Sequence, residues 1–178
     1  MSNPTPSQVE VITTYLHLPS PELFRPSFVE SPDVLVLQAQ DIPADFYRFL
    51  YKGVGRTYQW IDRNAWTDER LETHLARPTV AMHVLYVRGV PAGYIELDQE
   101  SEEPGTEIVY FGLMPAFHGR GLGKHLLSTG VQWAYQHNAQ RIWLHTCSLD
   151  GPYALANYQA RGFVPYRTTT HIQTLSQA

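Results

Sequence analysis

A chain of 178 residues, 43% of them hydrophobic, with a formal charge of −4 and a single cysteine, is long enough for one well-packed domain. It holds no apolar run of the roughly 18 residues that a membrane-spanning helix needs, and one cysteine allows neither an internal disulfide nor a cysteine-built zinc cage. The negative balance argues against a general grip on nucleic acid and favours a cationic or amine-bearing partner.

Met1 to Glu10 is polar, without an apolar core or an early basic cluster, so no targeting signal is read there and a cytoplasmic protein is expected. Ser2 to Ser7 is expected to fray. Val9 to Leu18 reads as a strand, a Pro/Ser-rich connector follows from Pro19 to Pro32, and Val34 to Gln38 reads as a second strand. Asp41 and Pro43 signal a helix that carries Phe46, Phe49 and Leu50 on one face and stops near Gly53-Val54-Gly55. A second helix is predicted from Thr67, with Asp68 and Glu69 in its first turn, Leu71 and Leu75 four apart and Pro78 past its end. The connector between them, Tyr58 to Trp66, holds three large rings that are costly to leave in water, so they cover the core or line a cleft. Thr79 to Arg88 and Ala92 to Asp98 are rich in strand formers around the turn residues Arg88-Gly89-Val90-Pro91. No linker, composition break or internal repeat divides residues 1–178, which are read as a single domain.

The chain is organised around Glu107 to Lys124. Its first seven residues suit a buried strand closed by Met114-Pro115, three glycines follow at 119, 121 and 123, and Leu122, Leu126, Gly130, Trp133 and Ala134 then recur at helical spacing. Glycines let a backbone approach a ligand closely, and the unpaired amides of a helix's first turn favour a phosphate or pyrophosphate; Arg120 and Lys124 add mobile cations. A Walker A loop is excluded, because His118 and His125 stand where it needs glycine and Ser/Thr, and the G-x-G-x-x-G dinucleotide fingerprint also fails. After the helix, Arg141 to Cys147 reads as a strand with Trp143, His145 and Cys147 on one face. Asp150-Gly151-Pro152 then opens a short helix ended by Gly162, and Phe163 to Ile172 returns as a last strand.

The turn His118-Gly119-Arg120-Gly121-Leu122-Gly123 resembles the coenzyme A pyrophosphate loop, Gln/Arg-x-x-Gly-x-Gly/Ala, of the GCN5-related N-acetyltransferase (GNAT) family, with His118 where the family usually has Gln or Arg. Ala154, Tyr158, Gly162 and Phe163 match that family's A-x-x-L-Y-x-x-x-G-F, with Asn157 in place of Leu. The resemblance implies an α/β (α+β) acyl-CoA N-acyltransferase fold, a mixed, mostly antiparallel sheet flanked by helices. It places the cofactor core at residues 79–167 and leaves 1–32 as an N-terminal extension with an extra strand. It also implies acetyl-coenzyme A as co-substrate and transfer of its acetyl group to an amine, on a small molecule or a peptide, with a catalytically silent acyl-CoA-binding or regulatory module as the alternative. Neither nucleic acid, membrane nor metal is expected as a partner, and a homodimer is left open.

Acetyl transfer to an amine requires a free lone pair, yet an alkylamine has a pKa near roughly 10.4, so the site must accept a proton. The resemblance points to Glu107, on a strand like that of the family's histone-modifying branch, with Glu96 and Asp98 as rivals. It points to Tyr158 as the donor to the departing thiolate, to Leu113 with its neighbour Met114 for backbone contacts to the carbonyl and pantetheine, and to residues 118–124 and Asn157 for the cofactor. Tyr58, Trp60, Asp62 and Trp66 are the substrate-side candidates. Cys147 and His145 share a strand face, but no third orienting group is evident, so direct transfer is preferred to an acyl-cysteine route.

Overall fold

The computed structural model describes residues 8–175; the expectations of a frayed Ser2 to Ser7 and of no targeting signal at the start of the chain fall largely outside them. Strand β1 (Gln8–Leu18) leads through a 3-10 turn at Pro21–Leu23 to β2 (Val34–Ala39), then to helices α1 (Ala44–Gly55) and α2 (Asp68–Leu75). Strands β3 (Val80–Val87), β4 (Val90–Asp98) and β5 (Thr106–Leu113) follow, then α3 (Leu122–Gln136), β6 (Ile142–Cys147), α4 (Ala154–Ala160) and β7 (Val164–Thr174). The seven strands form one sheet in the order β2-β3-β4-β5-β6-β1-β7, antiparallel at every junction except β5–β6. This is the mixed, mostly antiparallel sheet the sequence implied. No helix among the described residues is long and apolar enough to cross a membrane.

Period-2 alternation along the strands divides the interior into two layers. Leu85, Ile95, Leu97, Ile108, Ile142 and Leu144 face α3 and its Leu126, Leu127 and Val131, whereas Met82, Val84 and Tyr94 face α1 and α2. Gly130 is what allows α3 to lie so close, because a Cβ there would come within 2.5 Å of Ile95 Cδ1. In the β3–β4 hairpin both Arg88 (φ 51) and Gly89 (φ 81) are left-handed, as a tight two-residue turn requires. Thr67 caps α2 by accepting from the Arg70 amide at 3.2 Å, and Leu71 and Leu75 are its buried stripe.

Two local expectations are corrected. In α1 the buried face is Ala44, Tyr47, Leu50, Tyr51 and Val54, and Phe49 is 54% exposed. Tyrosine takes the inward positions because the Tyr47 hydroxyl finds a carboxylate there, donating to Glu96 Oε2 at 2.8 Å. Pro152 stands outside α4, which begins at Ala154; Asp150 closes the preceding turn, accepting from the Thr146 hydroxyl (2.6 Å) and the Cys147 amide (2.9 Å). The N-terminal strand β1 lies inside the sheet between β6 and β7, with Leu16 and Leu18 fully buried.

Candidate active site

The site begins where two strands part. β5 and β6 pair in parallel only at Thr106–Ile142 and Glu107–Trp143, and the ladder stops there. On its other edge β5 carries an irregularity opposite Glu96/Leu97, a bulge of the kind that increases local twist. Beyond it the Met114 amide donates to the Ala92 carbonyl at 2.8 Å, so by antiparallel alternation the amide and carbonyl of Leu113, opposite Gly93, turn away from β4 and into the opening. The Leu113 carbonyl meets His118 Nε2 at 3.0 Å, and because the pairing with β6 ends at Glu107–Trp143 the Leu113 N–H has no ladder partner among the described residues. The Met114 amide is spent in the sheet, its side chain packs with the α1/α2 layer, and it is not among the residues lining the cavity.

A cavity of about 780 Å³ fills the opening. One end is bounded by the glycine turn, where Gly119 (φ 75) and Gly121 (φ 72) are left-handed and Gly121 precedes α3 with no side chain capping the helix. The first amides of α3 are thus free for an anion, which is the donor set a pyrophosphate needs. A Cβ at Gly119 would meet nothing within 4 Å, so that position faces open space. His118, Gly119, Gly121, Leu122, Gly123 and Lys124 line this end; Arg120 does not, its guanidinium lying 5.4 Å from the Phe117 ring. From α4, Asn157 and Tyr158 close the same end. The Tyr158 ring packs on Phe111 and Phe163, and burial, with Asp150 adding, pushes its pKa far above the usual tyrosine value, so it stays a protonated donor.

Of the three carboxylates, Glu96 is fully buried and occupied. It accepts from Arg63 on both oxygens (2.8 and 3.0 Å) and from Tyr47, and His74 Nε2 lies 3.0 Å away. Burial alone would raise its pKa, but the His74 hydrogen bond and the Arg63 charge outweigh it and hold it below the usual carboxylate value. Asp98 is likewise tied, to Arg77 at 2.9 Å and to the Glu100 amide at 2.9 Å. Glu107 meets no cation among the described residues. Its burial, with Glu102, Asp98 and Glu96 nearby, pushes its pKa up to about 7, although its side chain is not on the cavity wall.

The far end of the cavity holds Tyr58, Trp60 and Asp62, with Tyr110 donating to Asp62 at 3.2 Å and its ring tilted against Trp60, centroids 4.9 Å apart. Trp66 does not reach it; it packs between Arg70 (4.0 Å) and Arg63 (4.7 Å) and against His74. Sequence reasoning missed Arg63, whose ion pair with Glu96 pins the aromatic connector to β4. It also missed the opposite wall, where Thr13 and Tyr15 of β1 pair with Cys147 and His145, and Thr169 and His171 of β7 pair with Thr13 and Val11. Alternation within β1 and β7 was readable, but not that the first and last strands would be neighbours. Cys147 and His145 both line the cavity, without a hydrogen bond between them among the described residues. Burial, with Asp150 adding, raises the cysteine's pKa, so the thiol stays protonated rather than nucleophilic.

Solved structures share this architecture. A GCN5-related N-acetyltransferase from Kribbella flavida aligns at TM-score 0.64 and 18% identity, over 96% of this chain and 61% of its own. An aminoglycoside acetyltransferase, meta-AAC0020 from an uncultured soil metagenomic sample, in complex with trehalose, aligns at 0.61 and 15%, over 72% and 87%. AAC(6')-Iy in complex with the bisubstrate analogue CoA-S-monomethyl-acetylneamine aligns at 0.58 and 16%, over 74% and 90%. At these identities the likeness is one of fold, and the chain spans only 64% and 61% of two longer chains it resembles. The model of the acetyltransferase (GNAT) family matches residues 44–163, about two thirds of the sequence, and the chain belongs to that family.

Proposed function

We propose that this protein is an N-acetyltransferase that moves an acetyl group from acetyl-coenzyme A to an amine by direct attack in a ternary complex. The observation that carries the reading is the opening between β5 and β6, with the unpartnered Leu113 amide at its side and the uncapped α3 N-terminus at its mouth. The glycine turn, Lys124 and Asn157 would bind the carrier, which supplies the thioester. The Leu113 amide would donate to the carbonyl oxygen as negative charge gathers on it, a contribution worth about 10²–10³ in rate where such donors have been removed. The amine nitrogen forms the C–N bond, the C–S bond breaks, the sulfur takes the proton of the Tyr158 hydroxyl, and the proton that the nitrogen sheds as it becomes an amide restores that hydroxyl.

The proton that the ammonium must lose before it attacks goes to a side chain in its unprotonated form. Glu107, half-ionised near neutrality, would receive it through water, since its carboxylate stands behind the cavity wall. His145, whose imidazole is on the wall and kept neutral by desolvation, is the second acceptor in reach of the cleft. Membership of an acetyltransferase family and the acetyltransferases of the same fold support the reading. Incubation with acetyl-coenzyme A and pooled primary amines should release free thiol in proportion to N-acetylated product; binding of acetyl-coenzyme A with no thiol release from any amine would replace the enzyme by the silent binding module.

A further inference from the structure

Residues 99–105 join β4 to β5 and include the acids Glu100, Glu102 and Glu103. A connection of that composition ordinarily stands free in water, yet this one is fastened at both ends. At its start the Gln99 amide donates to the Thr79 carbonyl (2.9 Å), the Gln99 side chain to the His137 carbonyl (3.1 Å) and the Glu100 amide to Asp98 Oδ1 (2.9 Å). Toward its end Glu103 spends both oxygens. Arg167 donates to Oε1 at 2.6 Å, Tyr166 and Arg141 donate to Oε2 at 2.7 and 3.2 Å, and Arg141 also donates to the Pro104 carbonyl at 2.7 Å. Arg141 immediately precedes β6, and Tyr166 and Arg167 belong to β7, so this carboxylate ties the connection to the far edge of the sheet, past β6 and β1.

The span held between the two fastenings, Ser101 and Glu102, stands beside the Glu107 carboxyl. Its charged neighbours on β4 are Asp98, held by Arg77, and Glu96, held by Arg63 and His74; on β6 the residue paired with it is the uncharged Trp143. β4 and β6 are fixed by their ladders, so the part of this cover that can lift is Ser101–Glu102. With the cover down, Glu107 is shielded from bulk water and faces the Glu102 charge; both disfavour its ionised form, and only Ser101 acts the other way. With the cover lifted, water reaches the carboxyl and it ionises like an ordinary surface glutamate. Such a carboxylate is a poor match for taking a proton from an ammonium at neutral pH.

We propose that Glu103 is a positioning residue for acetyl transfer: by fastening residues 101–102 over Glu107, it keeps bulk water from the carboxylate that receives the proton of the amine. The effect on rate rests on the N-acetyltransferase reading, whereas the effect on Glu107 rests on the clasp alone.

The test titrates Glu107 by carboxyl-carbon NMR of the isotopically labelled chain, its resonance assigned by its loss in Glu107→Gln, in the wild type, Glu103→Ala and Arg141→Met. Charge alone would lower the Glu107 midpoint when the acid is removed and raise it when the arginine is removed. Loss of the clasp lowers it in both. From about 7 the midpoint should fall by about one pH unit or more in each variant. The acidic limb of kcat/KM for acetyl transfer should move by the same amount, while KM for acetyl-coenzyme A stays within about twofold. Should Arg141→Met not fold, Arg167→Met removes a half-exposed arginine from the same clasp and takes its place. An unchanged midpoint in Glu103→Ala, or opposite shifts in the two variants, would overturn the proposal. So would a midpoint that falls while the acidic limb stays, because Glu103 would then act on Glu107 without acting on the reaction. If no amine releases thiol, the transferase reading fails instead, and the midpoints still decide whether Glu103 holds the cover.

Discussion

Replacing Glu107 by glutamine separates what this side chain does for the fold from what it does for the reaction. The residue is 9% exposed and meets no cation among the described residues, and its pKa is raised from 4.5 to about 7. The folded state therefore binds more protons than the unfolded chain between those values, and stability falls as pH rises through that interval. At roughly 1.4 kcal/mol per pH unit, ionising Glu107 costs the fold about 3 kcal/mol by pH 8. Glutamine cannot ionise, so Glu107→Gln should be more stable than the wild type at pH 8 and close to it at pH 5. For a domain of this size that is a rise of about 6–12 °C in Tm at the higher pH. Thermal or urea unfolding of both chains across pH 5–8 reads this directly. The same variant assayed for acetyl transfer should lose the acidic limb of kcat/KM near pH 7 and fall about 10²-fold or more if Glu107 is the base. A stability difference that does not change with pH would refute the burial argument; an unchanged pH–rate profile would remove Glu107 from the reaction and leave His145 as the acceptor of the proton.

Other outcomes follow from single features of the site. Tyr158→Phe should lower kcat about 10²-fold with little change in acetyl-coenzyme A affinity, measured by steady-state kinetics beside calorimetry; an unchanged kcat removes the hydroxyl from the mechanism. Gly121→Glu places a carboxylate and a Cβ at a φ of 72°, beside Lys124 and the free amides of α3, and should abolish detectable acetyl-coenzyme A binding by calorimetry. Glu96→Gln leaves Arg63 buried without its charge partner and should cost about 3–5 kcal/mol in urea unfolding, whereas Arg63→Met combined with Glu96→Leu should recover most of that loss. A loss below about 1 kcal/mol in the single variant would show the pair to be solvated rather than buried.

The strand, turn and helix from Glu107 to Gln136 were legible because their signals are local: β-branched and aromatic residues, glycines at alternate positions, then apolar residues every three or four. Tyr158 was legible for the same reason, its distance to Gly162-Phe163 being fixed within one short helix. What could not be read depends on contacts between distant segments. Phe49 looked like a core residue because phenylalanine is more apolar than tyrosine, yet the buried Glu96 carboxylate rewards the Tyr47 hydroxyl and turns that face inward. That Trp66 would pack between Arg63 and Arg70 rather than along the cavity depended on the fold of the whole connector. Met114 and Leu113 are adjacent in sequence, but only the register against β4 decides which amide is spent and which is free. The place of β1 between β6 and β7 rests on pairing across more than 120 residues, so the wall it contributes to the cavity had no local signature.

A crystal structure with acetyl-coenzyme A bound tests the central assignment most directly. The diphosphate should lie against the backbone amides of residues 119–124, with the thioester carbonyl within hydrogen-bonding reach of the Leu113 N–H and the sulfur beside the Tyr158 hydroxyl. A carrier bound elsewhere, with the glycine turn closed on itself and the opening between β5 and β6 left to water, would contradict it.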